Sequence, residues 1–213
     1  MTRGGVVPSR ARRTWGWLWL IGLGLAWPGV ESAIAADRYA IDPVHTSISF
    51  TVPHLVINRV HGQFGEFSGT ILYDEQDPSK SSVEVIIQAA SITTANADRD
   101  KHLRSPDFFD VATYPTITFH STQVEPRGEG YVCRGTLTMR GVSKEIEIPF
   151  AILGKIQDPW GKTRIGIEGG LTINRRDYGI SWSKVMDGGG LVVGDDVKIL
   201  LNVEAIQQPA TTP

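Results

Sequence analysis

Five histidines (His45, His54, His61, His102 and His120) are the first residues to weigh for chemistry, and their spacing does not make a metal centre. None stands in an H-E-x-x-H or other close ligand pattern, so no metal is expected. There is no G-x-S-x-G elbow and no glycine loop of the phosphate-cradling kind. Cys133, the only cysteine, lies in a strand-like run without a flanking catalytic signature. An intramolecular disulfide is therefore excluded, and the core alone must hold the fold. Reactive groups converge in one stretch, Ala97–Asp110, reading A-D-R-D-K-H-L-R-S-P-D-F-F-D. Asp98 and His102 stand i,i+4 on an expected helix, close enough to pair, either as an exposed ion pair or as an acid–base couple. Arg99, Lys101, His102 and Arg104 set positive charge beside Leu103, Phe108 and Phe109. Such a face suits the mouth of a barrel, with a polar group towards solvent and an apolar throat inward, or is simply a solvated helix face.

The elements that position this stretch are strands. Ile48, Phe50 and Val52 alternate with Ser49 and Thr51, and the same spacing of two recurs in Val83, Val85 and Ile87, in Ile117 and Phe119, and in Ile146, Ile148, Phe150 and Ile152. Ile165, Ile167, Leu171 and Ile173 keep one parity through Gly169, and Val197, Ile199, Leu201 and Val203 follow the same rule. Apolar spacing of two in β-branched and aromatic runs is the half-buried antiparallel strand signal. The number and spacing of the runs predict an all-β sandwich or up-and-down barrel of about eight strands. Thr94 to Ser105 breaks the alternation with helical spacing, Asn96 as N-cap and Pro106 as terminator. Asn174 to Gly179 breaks it again and reads as a solvated polar turn, with Arg175, Arg176 and Asp177 facing water. Ile180, Trp182 and the Gly188–Gly190 loop follow.

Compartment and charge narrow the function further. Arg3, Arg10, Arg12 and Arg13 precede an apolar run from Trp15 to Trp27 and the small residues Ser32 to Ala36. Basic, then apolar, then small is the layout of a cleavable export signal, and the run is too short to span a membrane. We therefore expect a leader over 1–35, one domain over 36–208, a disordered tail over 209–213, and a periplasmic product. Arg12-Arg13 also permits a twin-arginine reading. Residues 1–35 carry four of the 21 Lys and Arg and one of the 23 Asp and Glu, which leaves a net charge of −5 on the rest. A mildly acidic domain without a basic tract is unsuited to nucleic acid.

A barrel of this size is either filled by side chains or holds one small ligand. Gly69, Ala89, Ser121, Gly135 and Gly169 fall at core parity among large residues and by their number argue for a channel, although a bulge would explain each glycine singly. Parity gives its lining as Phe50, Val52, Phe67, Ile71, Val85, Ile87, Phe119, Leu137, Phe150, Ile167 and Leu171, with Leu103, Phe108, Phe109 and Trp182 at the helix end. The motifs Tyr39-Ala40-Ile41-Asp42 with His45, Phe64 to Gly69, Arg99 to Ser105 with Phe108-Phe109, and Tyr114-Pro115 stand in order along the chain. Gly135 to Lys144, Asn174 to Gly179 and Val193 to Lys198 complete the series. In these the chain resembles the YceI-like family across nearly all of residues 36–208. The resemblance implies an extended lipocalin-like antiparallel barrel with a short helix near its mouth. It also implies a tunnel, usually periplasmic, holding an isoprenoid or similar amphiphilic lipid, without a cofactor and without catalysis. One or two of Arg99, Lys101, His102 and Arg104 would then meet its phosphate or quinone head, or all four would form a solvated helix face. An enzyme using Asp98 and His102 and a structural module with a filled barrel remain as rivals, and a homodimer is open.

Overall fold

Alternating β-branched residues can bury one face only if the sheet they form finds a partner or closes on itself, and here it closes. The computed structural model describes Met1, residues 36–185 and residues 191–209. The expected leader apart from Met1, the Gly188–Gly190 loop and the tail beyond 209 lie outside the described residues. The strands are β1 (Asp37–Ile41), β2 (Ser47–His54), β3 (Asn58–Phe64), β4 (Phe67–Tyr73), β5 (Ser82–Gln88) and β6 (Ile92–Thr93). After helix α1 (Ala97–Arg104) come β7 (Thr116–Arg127), β8 (Gly130–Met139), β9 (Val142–Gln157), β10 (Thr163–Asn174) and β11 (Asp196–Gln207).

Every pairing is antiparallel. The order β1-β4-β5-β7-β8-β9-β10-β11 returns to β1, giving a closed ring of eight strands. One stretch of β11, Lys198–Asn202, pairs instead with β2, which continues through β3 to β6 and lengthens the wall at one end. Inner-face residues meet in rows, such as Val85 opposite Phe119 and Phe119 opposite Leu137, or Leu171 opposite Ile199 and Ile199 opposite Phe50. Two bulges interrupt the ladders, at Ser121–Gln123 of β7 and at Leu153, which is left over where Gly166 faces Gly154 and Ile167 faces Ile152. The first leaves Ser121 Oγ to accept from the Val83 amide at 2.8 Å.

Asn96 caps α1 by accepting from the Arg99 amide at 3.0 Å, as the sequence predicts. Buried Asp100 ties the helix to the preceding strand through the Thr94 amide (2.8 Å) and the Thr93 hydroxyl (3.1 Å). At the opposite end, Arg164 gathers three carboxylates: Asp158 at 2.6 Å, Asp42 at 3.0 Å and Glu204 at 2.5 Å. This cluster fastens the β1–β2 turn and the β9–β10 hairpin to β11.

Two of the small residues do not act as the sequence suggested. A Cβ on Gly135 would lie 2.4 Å from the His120 carbonyl and 2.6 Å from the Phe119 ring. One on Gly69 would lie 2.6 Å from Ile41 Cδ1. Their space is filled by neighbours, so they allow close packing rather than open a channel, whereas Gly169 does face the interior cavity. Gly135→Ala should therefore cost about 1–3 kcal/mol, because backbone must move. Urea unfolding would show this as a lower midpoint at unchanged slope. Acid should also loosen the barrel. His45 and Arg164 hold the Asp42 carboxyl below its ordinary 3.8, and Arg164 does the same for Asp158. A carboxylate depressed in the folded state stabilises above its unfolded value, and that stability is lost as pH falls through the folded one. Melting temperature should hold as pH falls towards 3.8 and drop below it, and Asp158→Asn should flatten that acid limb.

Candidate ligand-binding cavity

The inward rows do not fill the ring. They enclose a cavity of about 220 Å3 that runs from Phe50, Phe64, Met139 and Ile173 near α1 to Tyr73, Pro78, Ser81, Ser82 and Tyr131 at the other end. Alternate residues of β10, from Ile165 to Ile173, line it throughout, which at normal strand rise and barrel tilt is about 20 Å along the axis. Among the described residues, no lining side chain is charged. The polar ones are Thr46, Ser49, Ser81, Ser82, Cys133 and the two tyrosines. Burial pushes the Cys133 thiol up to about 11, so it lies in the wall as a neutral, unreactive group. The interior offers area to an apolar chain and almost no directed polar contact.

Most of the strand residues expected on the lining are there: Phe50, Ile71, Val85, Ile87, Phe119, Leu137, Phe150, Ile167 and Leu171. Six are not. Val52 lies beyond Thr51, the last β2 residue paired with β11, and so past the cavity's end. Phe67 keeps inward parity opposite Ile87 but is used up against the Tyr39–Ile41–Ile71 cluster. Leu103, Phe108, Phe109 and Trp182 form a packed cap over the α1 end, together with Ala89, Ile117, Met139, Tyr178 and Ile180. Within it, Phe108 meets Trp182 at 5.3 Å, and Phe109 stands edge-on to Phe64 at 5.8 Å. The helix sits at one end of the barrel, but that end is stoppered, and the cavity reaches the opposite one.

The basic residues of α1 are correspondingly tied into the frame. Arg99 donates to the Thr94 hydroxyl (2.7 Å) and carbonyl (2.9 Å), and Arg104 donates to the carbonyls of Ala90 and Ile92, both at 2.7 Å. His102 does not pair with Asp98. Its Nε2 lies 2.8 Å from Asp107 Oδ2, and its ring stands edge-on to Phe108 and Trp182, each at 5.0 Å. Lys101 is exposed. None of the four lines the cavity.

Arg175 also departs from its expected solvated turn. It is 4% exposed in a short 3-10 turn, Arg175–Tyr178. Its guanidinium donates to the carbonyls of Gly194 (2.9 Å), Ile180 (2.8 Å) and Trp182 (2.8 Å) and to Asp195 (3.0 Å). One buried cation thus satisfies the backbone of the segment that carries the cap. Tyr73, Tyr131 and Ile41 line the cavity although the sequence reading left them out. Tyr73 shares parity with Ile71, and Tyr131 with Cys133, which was the available signal.

The comparisons agree with this architecture. The YceI-like domain profile matches residues 39–205. A UPF0312 protein of Pseudomonas paraeruginosa is 41% identical over 88% of this chain and 96% of its own, and one from Serratia proteamaculans is 40% identical over 83% and 89%. The Campylobacter jejuni YCEI protein superposes with a TM-score of 0.63 at 33% identity, covering 73% of this chain and 90% of that one. A polyisoprenoid binding domain from Saccharophagus degradans shares the fold at 18% identity, with a TM-score of 0.58 over 80% and 98%. With its profile match, its close relatives and its eight-stranded barrel in accord, the chain belongs to the YceI-like domain family.

Proposed function

We propose that this protein is an exported binding protein that holds a long-chain isoprenoid, or a similar amphiphilic lipid, inside its barrel. One observation carries the reading: a narrow, uncharged cavity runs the length of the ring and is lined by Ile, Val, Leu and Phe. An isoprenoid tail has no polar atoms, so its affinity must come from area removed from water. Burying about 500 Å2 at roughly 25 cal/mol per Å2 is worth on the order of 12 kcal/mol before association costs. The polyisoprenoid binding of the Saccharophagus domain supports the ligand class. The basic–apolar–small leader supports a periplasmic carrier, where a lipid shielded from water can cross an aqueous space. Binding rather than turnover fits a lining whose polar groups are hydroxyls and one neutral thiol, without an acid–base pair among them.

Filling the cavity tests this. Ile148 and Cys133 face each other across β8 and β9 on the lining, so Ile148→Trp would place a large ring in the tunnel. Overpacking of this kind costs about 1–3 kcal/mol, which leaves the fold measurable. Delipidated wild type should take up geranylgeraniol, and the folded variant should bind it at least tenfold more weakly, a change of about 1.4 kcal/mol. Equal uptake by both would overturn the cavity reading. Cys133 gives an independent readout. Labelling by a small apolar maleimide should be slow in the empty protein and slower again in the loaded one, and a rate indifferent to lipid would place the ligand elsewhere.

A further inference from the structure

The end of the barrel away from α1 carries polar groups that the tail-binding reading does not use. The bulge at Leu153 changes the parity of β9. Ile152 faces inward opposite Ile167, yet two steps beyond the bulge Lys155 lies opposite Ile165, whose side chain is also inward. Bulges re-aim side chains in this way. Lys155 therefore stands on the inner side of the rim and reaches across to Glu75 in the β4–β5 connection, with which it forms an ion pair. Its side chain is 36% exposed and that of Glu75 is 63% exposed.

Under this rim lies Tyr39, fully buried, with its hydroxyl bonded to nothing among the described residues. A buried, unsatisfied donor is rare in a native fold and calls for a partner. Tyr39 lies opposite Ile71 on β4, so Tyr73, two residues on and itself a cavity residue, is its diagonal neighbour on the same face. Lys155 bears electrostatically on both hydroxyls, as do Glu75 and, for Tyr39, Asp37 and, for Tyr73, Asp74.

We propose that the polar end of the bound amphiphile sits at this rim, between the Lys155 ammonium and the buried Tyr39 hydroxyl, with Tyr73 beside it. This proposal rests on the lipid-binding reading and adds where the head lies and what it is. The site takes an uncharged oxygen acceptor, a hydroxyl or carbonyl. The one ammonium is paired with Glu75 and lies within electrostatic reach of Asp37, and Asp74 bears on the neighbouring Tyr73, so a phosphate would enter a region already net negative. The head oxygen accepts from Tyr39 Oη–H and Lys155 Nζ–H, and Glu75, the more exposed partner, swings away to solvent.

The test compares three probes with one tail: geranylgeraniol, its monophosphate and the matching hydrocarbon without a head. Wild type should prefer the alcohol to the hydrocarbon and to the phosphate by about tenfold, in line with the net worth of a hydrogen bond from the tyrosine hydroxyl or the ammonium. Tyr39→Phe and Lys155→Met should each erode the preference over the hydrocarbon and leave hydrocarbon affinity unchanged. Glu75→Gln should raise the phosphate relative to the alcohol. Tyr39→Phe removes only an unpaired hydroxyl, so its melting temperature should match or exceed that of wild type. Unchanged selectivity in both variants, or a wild-type preference for phosphate, would overturn the head-group site while leaving tail binding intact. Failure of the hydrocarbon itself to bind wild type would overturn the lipid-binding reading and the site with it.

Discussion

Closure of the sheet is the constraint on which the rest depends. Side chains alternate across a strand, so once eight strands form a ring, every second residue is committed to the interior. The ring has no open edge to protect, and its wall is held by continuous ladders such as the pairing of β10 with β11 from Arg164 to Asn174. What the interior contains is then decided by side-chain volume against ring size. Here Ile, Val, Leu and Phe narrow the space without closing it.

The two ends of the ring solve different problems. At the α1 end an aromatic stopper is kept in place by charge: Arg99 and Arg104 hold the helix to its neighbouring backbone, and Arg175 holds the segment bearing Ile180 and Trp182. At the other end the charges lie around the opening. Arg164 binds Asp42, Asp158 and Glu204 outside it, and Lys155 spans it to Glu75. Arginine in fixed, multiple bonds builds frame. A lysine in a single, partly exposed pair can exchange partners, which is what the proposed head-group site at this rim requires.

The strands were legible in the sequence because a period of two survives wherever one face is buried. The residues at the middle of the barrel, such as Phe119, Leu137 and Ile167, could be placed on the lining from parity alone. The helix and its Asn96 cap were equally legible, being local. Parity fails where a property of pairing enters. The bulge at Leu153 reverses the side of Lys155, and the only local signal for it in Ile152-Leu153-Gly154-Lys155 is Gly154, a glycine inside a strand run. Parity also cannot say how far along the axis a residue sits, which is why Val52 lies past the cavity's end, nor what an inward residue packs against, which is why Phe67 is taken up by the Tyr39–Ile41–Ile71 cluster. Arg175 looked solvated beside Arg176 and Asp177, because its partners are backbone carbonyls of a loop brought over it by tertiary structure. Arg99 and Arg104 of α1 resembled part of a ligand-facing patch for the same reason: Thr94, Ala90 and Ile92, which engage them, present carbonyls that a sequence does not display.

The central claim is that the cavity is a lipid site, and occupancy in the natural compartment tests it most directly. Native mass spectrometry of the protein purified from the cells that produce it, with organic extraction of its cargo, should show one bound species whose mass is that of an isoprenoid chain with a small oxygen-bearing head. A protein that arrives empty and stays empty when offered such lipids would contradict the account and leave the barrel as a fold without this function.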